Sequence, residues 1–168
     1  MRVTLLKIVR NWGTKSHLSV AQFVWVVAMF GLLAVLETNR LGLFLVPPFG
    51  ATLSILLVLS DAQIAQPYAL IGGSVTGAAV GTVLSLFARG SVMAIVAAVA
   101  AFGILNLMCA YHPPGIALAM YPSLLHAGNW FPLAVVLPFT LTAVVSAALL
   151  SRWVKKWPAY PKPLNAAP

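Results

Sequence analysis

Long apolar runs alternate with short polar breaks along almost the whole chain. The four longest runs cover about 19–37, 67–88, 91–111 and 132–152. A helix needs about 20 apolar residues to cross roughly 30 Å of hydrocarbon, and each of these runs is long enough. The pattern therefore predicts an all-α membrane protein, a polytopic helix bundle with four spanning helices.

Two further apolar runs are shorter, and each follows a pair of prolines. They cover 49–60 and 115–126, 12 residues each, so as helices they would be only about 18 Å long. Irregular backbone at membrane depth is tolerated only inside protein or against a water-filled cavity. We interpret both runs as half-helices that re-enter by the face they came from, with six full crossings as the alternative.

Composition and charge support a bilayer environment. Hydrophobic residues make up 61% of the chain and charged residues 7%, with a formal net charge of +8. A soluble domain carries about a quarter charged residues, and disordered chains are polar. The basic residues cluster near the two ends rather than along one face, which argues against a nucleic-acid partner.

The positions of the basic residues predict the orientation. If both short runs are re-entrant, every basic residue except Arg40 lies on one side, as the positive-inside rule prefers. The expected organisation is a basic head over 1–18, a transmembrane domain over 19–152 and a basic, proline-rich, extended tail over 153–168. Both termini are then cytoplasmic.

The two halves of the chain resemble each other. A shift of 65 places Pro48 on Pro113 and gives nine identities over 34 positions, including prolines and a glycine. This predicts two pseudo-repeats, about 19–89 and 90–152. The alternative is that two broken apolar hairpins look alike by composition. In transporters, interrupted helices at corresponding positions of two halves mark the substrate site.

The two proline pairs are the main candidate for chemistry. Both Pro47-Pro48 and Pro113-Pro114 precede a glycine closely. Proline suits the first turn of a helix, glycine lets a ligand approach the backbone, and free N–H groups at a helix start favour an anion. We expect an anion between the two helix starts. The alternative is that the prolines only kink helices for packing.

His112 is the most informative ionisable residue, because it lies in an apolar run directly before the second break. It can donate a hydrogen bond to an anion or carry a proton; the alternative is that it braces the broken backbone.

Asp61 and His126 correspond under the shift of 65, and we interpret both as loop residues. A copper(I) site with Cys109 is a minor alternative, and we expect no cofactor.

Enzyme chemistry finds little support. There is no G-x-S-x-G elbow, no phosphate-binding loop of the G-x-x-x-x-G-K type, and only two acidic residues in the chain.

Gly73, Gly77 and Gly81 recur every four residues, a spacing that permits close helix approach. Because four spans can hardly surround a pore, we expect a homo-oligomer, with a dimer favoured, through this glycine face or the last span.

Three motifs, in order, resemble those of the HPP family of integral membrane proteins. They are Pro48-Phe49-Gly50-Ala51, then Ala65-Gln66-Pro67 with Ile71-Gly72-Gly73, then His112-Pro113-Pro114-Gly115, and the resemblance covers about 19–152. The family is described as having four transmembrane helices, and cyanobacterial and chloroplast members are implicated in nitrite transport. The resemblance implies a protein of the bacterial plasma (inner) membrane that handles a small anion.

The chain departs from the family pattern at three places. Many members have Pro-Arg-Asn where this chain has Pro67-Tyr68-Ala69, His where it has Ser74, and Gly-Gly-Ala-Thr over 115–118 where it has Gly-Ile-Ala-Leu. These differences remove basic and polar side chains. The identity of the anion therefore stays open.

The predicted function is a permease or channel for a small inorganic or carboxylate anion that resembles nitrite. The alternatives are a non-transporting scaffold or accessory subunit and, third, a redox or metal-binding membrane protein. The residues assigned to substrate binding are His112, Pro113, Pro114, Gly115, Pro48, Phe49, Gly50, Ala51, Thr52, Gln66 and Ser74.

Overall fold

The structure is a computed structural model that describes residues 18–36 and 47–162. Within these two ranges the regular secondary structure is entirely helical, as the hydrophobic pattern predicts. The six helices are α1 (Val20–Leu36), α2 (Pro47–Val58), α3 (Tyr68–Ser85), α4 (Ser91–Leu107), α5 (Pro113–Leu125) and α6 (Pro132–Trp153). The predictions for residues 1–17, for the break at 37–40 and for residues 163–168 lie outside the described residues.

Each apolar run of the sequence forms one helix. By length and composition, α3 and α6 are long enough to cross a membrane, and α1, α2 and α4 are apolar but shorter. Proline sets where α2, α5 and α6 begin, because it lacks only an N–H that has no intrahelical acceptor in the first turn. Both α3 and α6 open with a π-helical turn, Tyr68–Gly72 and Pro132–Val136.

A Schellman motif ends α4 and reverses the chain. Cys109 has a left-handed backbone with φ of 53°. The N–H of Ala110 donates to the Leu105 carbonyl (3.0 Å) and the N–H of Cys109 donates to the Asn106 carbonyl (3.1 Å). After this turn Ala110 and His112 are fully buried, so the chain goes straight back into the bundle.

The helix ends gather at two opposite ends of the bundle. At the first, which we call the tail end, residues 18–21 share a surface pocket with residues 154–156. The hydroxyl of Tyr68, at the start of α3, donates to the carbonyl of Met108, just after α4 (3.0 Å). The Tyr160 hydroxyl, beyond the end of α6, donates to the Ala65 carbonyl just before α3 (2.9 Å). The tail end is therefore where α1 and α3 begin and where α4 and α6 end.

Helix α5 runs beside α3 in the same direction. Its start lies near the start of α3, because Gly73 packs against Ala110 and His112. Its end lies near the start of α4, because the N–H of Gly90 donates to the Ser123 carbonyl (3.0 Å). Helix α5 therefore leads from the tail end to the opposite end.

Helix α2 runs the other way. Its first turn, at Gly50, lies against Phe30 in the second half of α1. Its end packs near the 3-10 turn Gln63–Ala65. That turn is at the tail end, because the Tyr160 hydroxyl donates to the Ala65 carbonyl (2.9 Å). The six helices consequently alternate in direction.

This alternation contradicts the predicted re-entrant topology. Both short helices connect opposite ends of the bundle, because the turn after α4 reverses the chain within a few residues and leaves α5 enough length to reach the other end. Arg89 lies at the end opposite Lys155 and Lys156, so the basic residues of the described ranges are not gathered at one end.

The same order of elements occurs twice along the described chain. A long helix, a short helix that begins with two prolines, and a helix that opens with a π turn make up α1–α3 and again α4–α6. Because directions alternate, each element of the second set runs opposite to its counterpart in the first.

The two sides of the bundle are packed differently. On one side α3 meets α5 through backbone contacts, and a Cβ at Gly77 would overlap the Gly115 carbonyl. On the other side large side chains fill the space: the rings of Phe49 and Phe139 are 4.1 Å apart, and the Trp25 indole N–H donates to the Ser146 hydroxyl (2.9 Å).

The glycine face of α3, formed by Gly73, Gly77 and Gly81, packs against residues of the same chain. Close helix approach at Gly73, Gly77 and Gly81 is as the sequence predicts. The prediction that this face joins two copies is wrong, because Gly115 and Ala119 of α5 already cover it.

The C-terminal segment 154–162 packs against the tail end instead of extending away from it. The side chains of Trp157 and Tyr160 are buried, and the Trp157 ring contacts that of Trp25 edge to face at 5.5 Å. The backbone N–H of Lys162 donates to the Gln66 side-chain oxygen (2.9 Å). This segment joins the start of α1 to the loop before α3.

Substitution of Gly77 by Ala tests the backbone contact between α3 and α5. The added methyl group would displace the Gly115 carbonyl, and we expect the free energy of unfolding to fall by about 1–3 kcal/mol. Thermal unfolding in detergent measures this. The matched control is Gly103→Ala, where an added Cβ meets nothing within 4 Å; equal losses in both variants would contradict the packing described.

Substitution of Cys109 by Gly tests the Schellman turn. A left-handed backbone costs a residue with a Cβ about 1 kcal/mol, so the glycine variant is expected to unfold at a higher temperature. Cys109→Ala keeps the Cβ and should give no gain. A lower unfolding temperature for the glycine variant would argue against a left-handed residue here.

Candidate functional site

The two short helices lie side by side, and His112 joins them. His112 is the N-cap of α5, with an extended backbone, and its side chain is completely buried. Its Nε2 atom lies 3.0 Å from the Thr52 hydroxyl of α2, and its Nδ1 atom lies 2.8 Å from the Ile64 carbonyl oxygen. One imidazole ring thus connects α5, α2 and the loop before α3.

These two hydrogen-bond partners define which nitrogen of the His112 ring carries the proton. A carbonyl oxygen only accepts, so Nδ1 of His112 donates to Ile64. In the neutral ring Nε2 is then the acceptor, and the Thr52 hydroxyl donates to it. Because both ring nitrogens are occupied and no part of the ring is exposed, the geometry supports the bracing role and leaves no nitrogen for an anion or for a metal shared with Cys109.

The first turn of α5 does not present free amides. Pro113 and Pro114 carry no N–H, and the N–H of Gly115 donates to the His112 carbonyl (2.8 Å). At the start of α2, Pro47 and Pro48 likewise lack the donor. Pro113, Pro114 and Gly115 therefore offer no bare amide hydrogens at the start of α5. The part of the anion cradle predicted for the amides of Phe49 and Gly50 in α2 stays a prediction.

An open groove of about 660 Å³ separates α2 from α5. The predicted residues Pro48, Ala51, Pro113 and Pro114 line it. The rest of the wall comprises Pro47, Ile55, Ala117, Met120, Tyr121, Leu124 and Leu125. Among the side chains of this wall, only the Tyr121 hydroxyl can donate or accept an ordinary hydrogen bond. The groove is accordingly apolar.

Other predicted residues lie away from the groove. Phe49 is buried against Phe139, and Gly50 lies where an added Cβ would be 3.2 Å from the Phe30 ring. Gln66 organises the tail end, because its amide nitrogen donates to the carbonyls of Ser60 (2.8 Å) and Ala62 (3.1 Å). These three residues do not line the groove, and each makes its contacts elsewhere in the bundle.

Ser74 is the predicted residue with unused hydrogen-bonding capacity. It is fully buried on α3, and its hydroxyl has no partner within the described part of the chain. It lies next to the start of α5, because a Cβ at Gly115 would be 3.2 Å from the Ser74 nitrogen. Ser123, near the other end of α5, also has a buried hydroxyl without a partner.

Asp61 and His126 are exposed loop residues, as the sequence indicates, and they lie at opposite ends of the bundle. Cys109 is exposed at the tail end. Over 18–36 and 47–162, no group of three or more His, Cys, Asp or Glu side chains is placed to hold a metal ion.

Sequence reasoning missed the Ile64 carbonyl and the outer part of the groove. A shift of 66 instead of 65 would have revealed the groove, because it places Ala51 on Ala117 and Ile55 on Tyr121 as well as the proline pairs on each other. The Ile64 partner has no sequence signal, since any residue provides a carbonyl.

A double-mutant cycle tests the bridge between α2 and α5. His112→Ala and Thr52→Val each leave a buried polar group unpaired, and each is expected to lower the free energy of unfolding by about 1–3 kcal/mol. Because the two side chains share one hydrogen bond, the double variant should lose about 1 kcal/mol less than the sum. Denaturant unfolding in detergent measures the cycle.

Thr142→Val is the matched control, because that exposed hydroxyl donates only to a carbonyl of its own helix. Strict additivity of His112→Ala and Thr52→Val would contradict the bridge.

The chain matches a known protein family. The sequence profile described as HPP, transmembrane region, matches residues 13–161, most of the chain. No curated protein and no solved structure is significantly similar. With its helical architecture and its His-Pro-Pro turn in place, the chain belongs to the HPP family of transmembrane proteins.

Proposed function

We propose that this protein is a membrane transporter whose solute passes along the groove between α2 and α5. The observation that carries the proposal is the pair of short, proline-led helices, which run in opposite directions on either side of that groove. In transporters built from two inverted halves, the substrate site lies where interrupted helices of the halves meet. The repeated order of elements in opposite directions is the topology that such a mechanism requires.

A small monovalent anion of the nitrite type is the solute we propose. Basic residues at the tail end, such as Lys155 and Lys156 beside the start of α1, attract anions to that end. The apolar groove wall supplies no fixed charge, and burying a charge without partners is costly. The groove therefore favours anions that lose their hydration water easily, or their uncharged conjugate acids, over phosphate or sulfate.

Uptake into proteoliposomes tests this function. We expect flux of nitrite, nitrate or formate above that of empty liposomes, with chloride and phosphate as comparisons. Ala117→Leu narrows the groove and should reduce that flux at least several-fold. The matched control, Val96→Leu, adds volume to an exposed position on α4 and should leave flux unchanged. Folded protein without flux for any of these solutes would contradict the proposal.

The second candidate is a non-transporting scaffold, and the apolar wall of the groove favours it. In that case no solute would show flux, whereas Ala117→Leu would prevent binding of the docked protein. His112→Ala is unsuitable for separating the two functions, because loss of the bridge to Thr52 and Ile64 lowers stability in either case. The groove variants leave that bridge in place.

A further inference from the structure

The tail end carries more positive charge than the acidic side chains of this protein can neutralise. Four exposed basic side chains lie at this end, Arg152, Lys155, Lys156 and Lys162. The whole chain has two acidic side chains, Asp61 and Glu37. Asp61 accepts a hydrogen bond from the neighbouring Ser60 hydroxyl (3.0 Å), and Glu37 follows the far end of α1 in the sequence. Most of this positive charge therefore needs anions from outside the chain.

Two of these lysines line a surface pocket of about 520 Å³ beside the start of α1. Residues 18–21 and the segment 154–156, with Lys155 and Lys156, line it together, and no carboxylate is among the lining residues. Residues 1–17, which precede α1, contain four basic side chains and no acidic one, so they add positive charge instead of removing it. Two neighbouring ammonium groups favour an anion that accepts hydrogen bonds from both, as a phosphate group does.

An apolar stripe continues from this pocket along the outside of α1. Val20 lines the pocket, and Phe23, Val24 and Val27 follow it at the spacing of one helix face. All four side chains are more than half exposed, and so is the Trp153 indole at the end of α6. In a transmembrane protein such a stripe faces lipid chains, and Trp is favoured at the level of the headgroups. Cationic pocket and apolar stripe together fit an amphiphile with a negative head.

We infer that an anionic phospholipid binds at this surface, with its phosphate at Lys155 and Lys156 and an acyl chain along the exposed stripe of α1. Basic clusters next to membrane helices recognise anionic headgroups in this way. Because the pocket joins the start of α1 to the segment after α6, the bound lipid stabilises the docked segment, where the Trp157 ring contacts that of Trp25. The site is separate from the groove between α2 and α5 and goes beyond the proposed transport.

Native mass spectrometry of the full chain in mild detergent tests this site. With phosphatidylglycerol and phosphatidylcholine added at equal concentrations, we expect the anionic lipid to be retained on several-fold more protein. Lys155→Gln combined with Lys156→Gln should reduce that retention several-fold. The charge-matched control is Arg89→Gln combined with Lys162→Gln, because both side chains are exposed and neither lines the pocket. This control should keep most of the bound lipid.

Thermal unfolding in detergent shows which part of the lipid is recognised. Phosphatidylglycerol should raise the unfolding temperature of the unsubstituted chain more than that of the double lysine variant, since a ligand stabilises the state that binds it. Inorganic phosphate at the same concentration should raise neither, because it lacks the acyl chains.

Three results would overturn the lipid site. They are equal retention of the two lipids, equal losses in the lysine variant and its control, and stabilisation that inorganic phosphate reproduces. Lipid binding is measured without a transported solute. A chain that binds the anionic lipid but shows no flux therefore contradicts only the proposed transport, and a chain with flux but no lipid preference contradicts only the lipid site.

Discussion

Backbone polar groups at membrane depth must find their partners inside the protein, and the rest of this structure depends on how that requirement is met around His112. The chain leaves α4, turns and starts α5 below the tail end of the bundle. A Schellman turn satisfies the last carbonyls of α4, and the His112 carbonyl accepts from Gly115. The Nδ1–H group of the His112 ring donates a hydrogen bond to the Ile64 carbonyl in the loop before α3. Pro113 and Pro114 have no N–H group, so these two positions in the first turn of α5 leave no unpaired donor.

The same requirement explains why α5 lies so close to α3. The turn at 108–112 is shielded from lipid only if neighbouring backbone packs against it, and Gly73 allows Ala110 and His112 to do so. Further along, Gly77 lets the helices continue in contact. On the other side of the bundle the space is filled by rings such as Phe49 on Phe139. Helix α2 is thereby held apart from α5 over part of its length, and the groove is the space that remains.

The groove bears directly on the transport that we propose for this protein. A site of bare amides at two helix starts would bind an anion directly, but prolines and a bonded glycine occupy the start of α5. His112, the residue that gives the motif its name, holds the two short helices together and keeps its nitrogens away from any solute. In the transport that we propose, selection among solutes would depend on the cost of dehydration along the apolar wall of the groove.

The helices, their proline starts and the close approach at the glycine face can all be predicted from the sequence, because apolar run length, proline chemistry and glycine spacing are local properties. It also placed Asp61 and His126 in loops. Tertiary structure alone decided the direction of the short helices and the role of His112. The ring's partners are 60 and 48 residues away in the chain, and the contact that orients α5 joins Gly90 to Ser123, 33 residues further along. Local patterns carry no information about which distant carbonyl or hydroxyl completes a buried hydrogen bond, and that choice fixed the site.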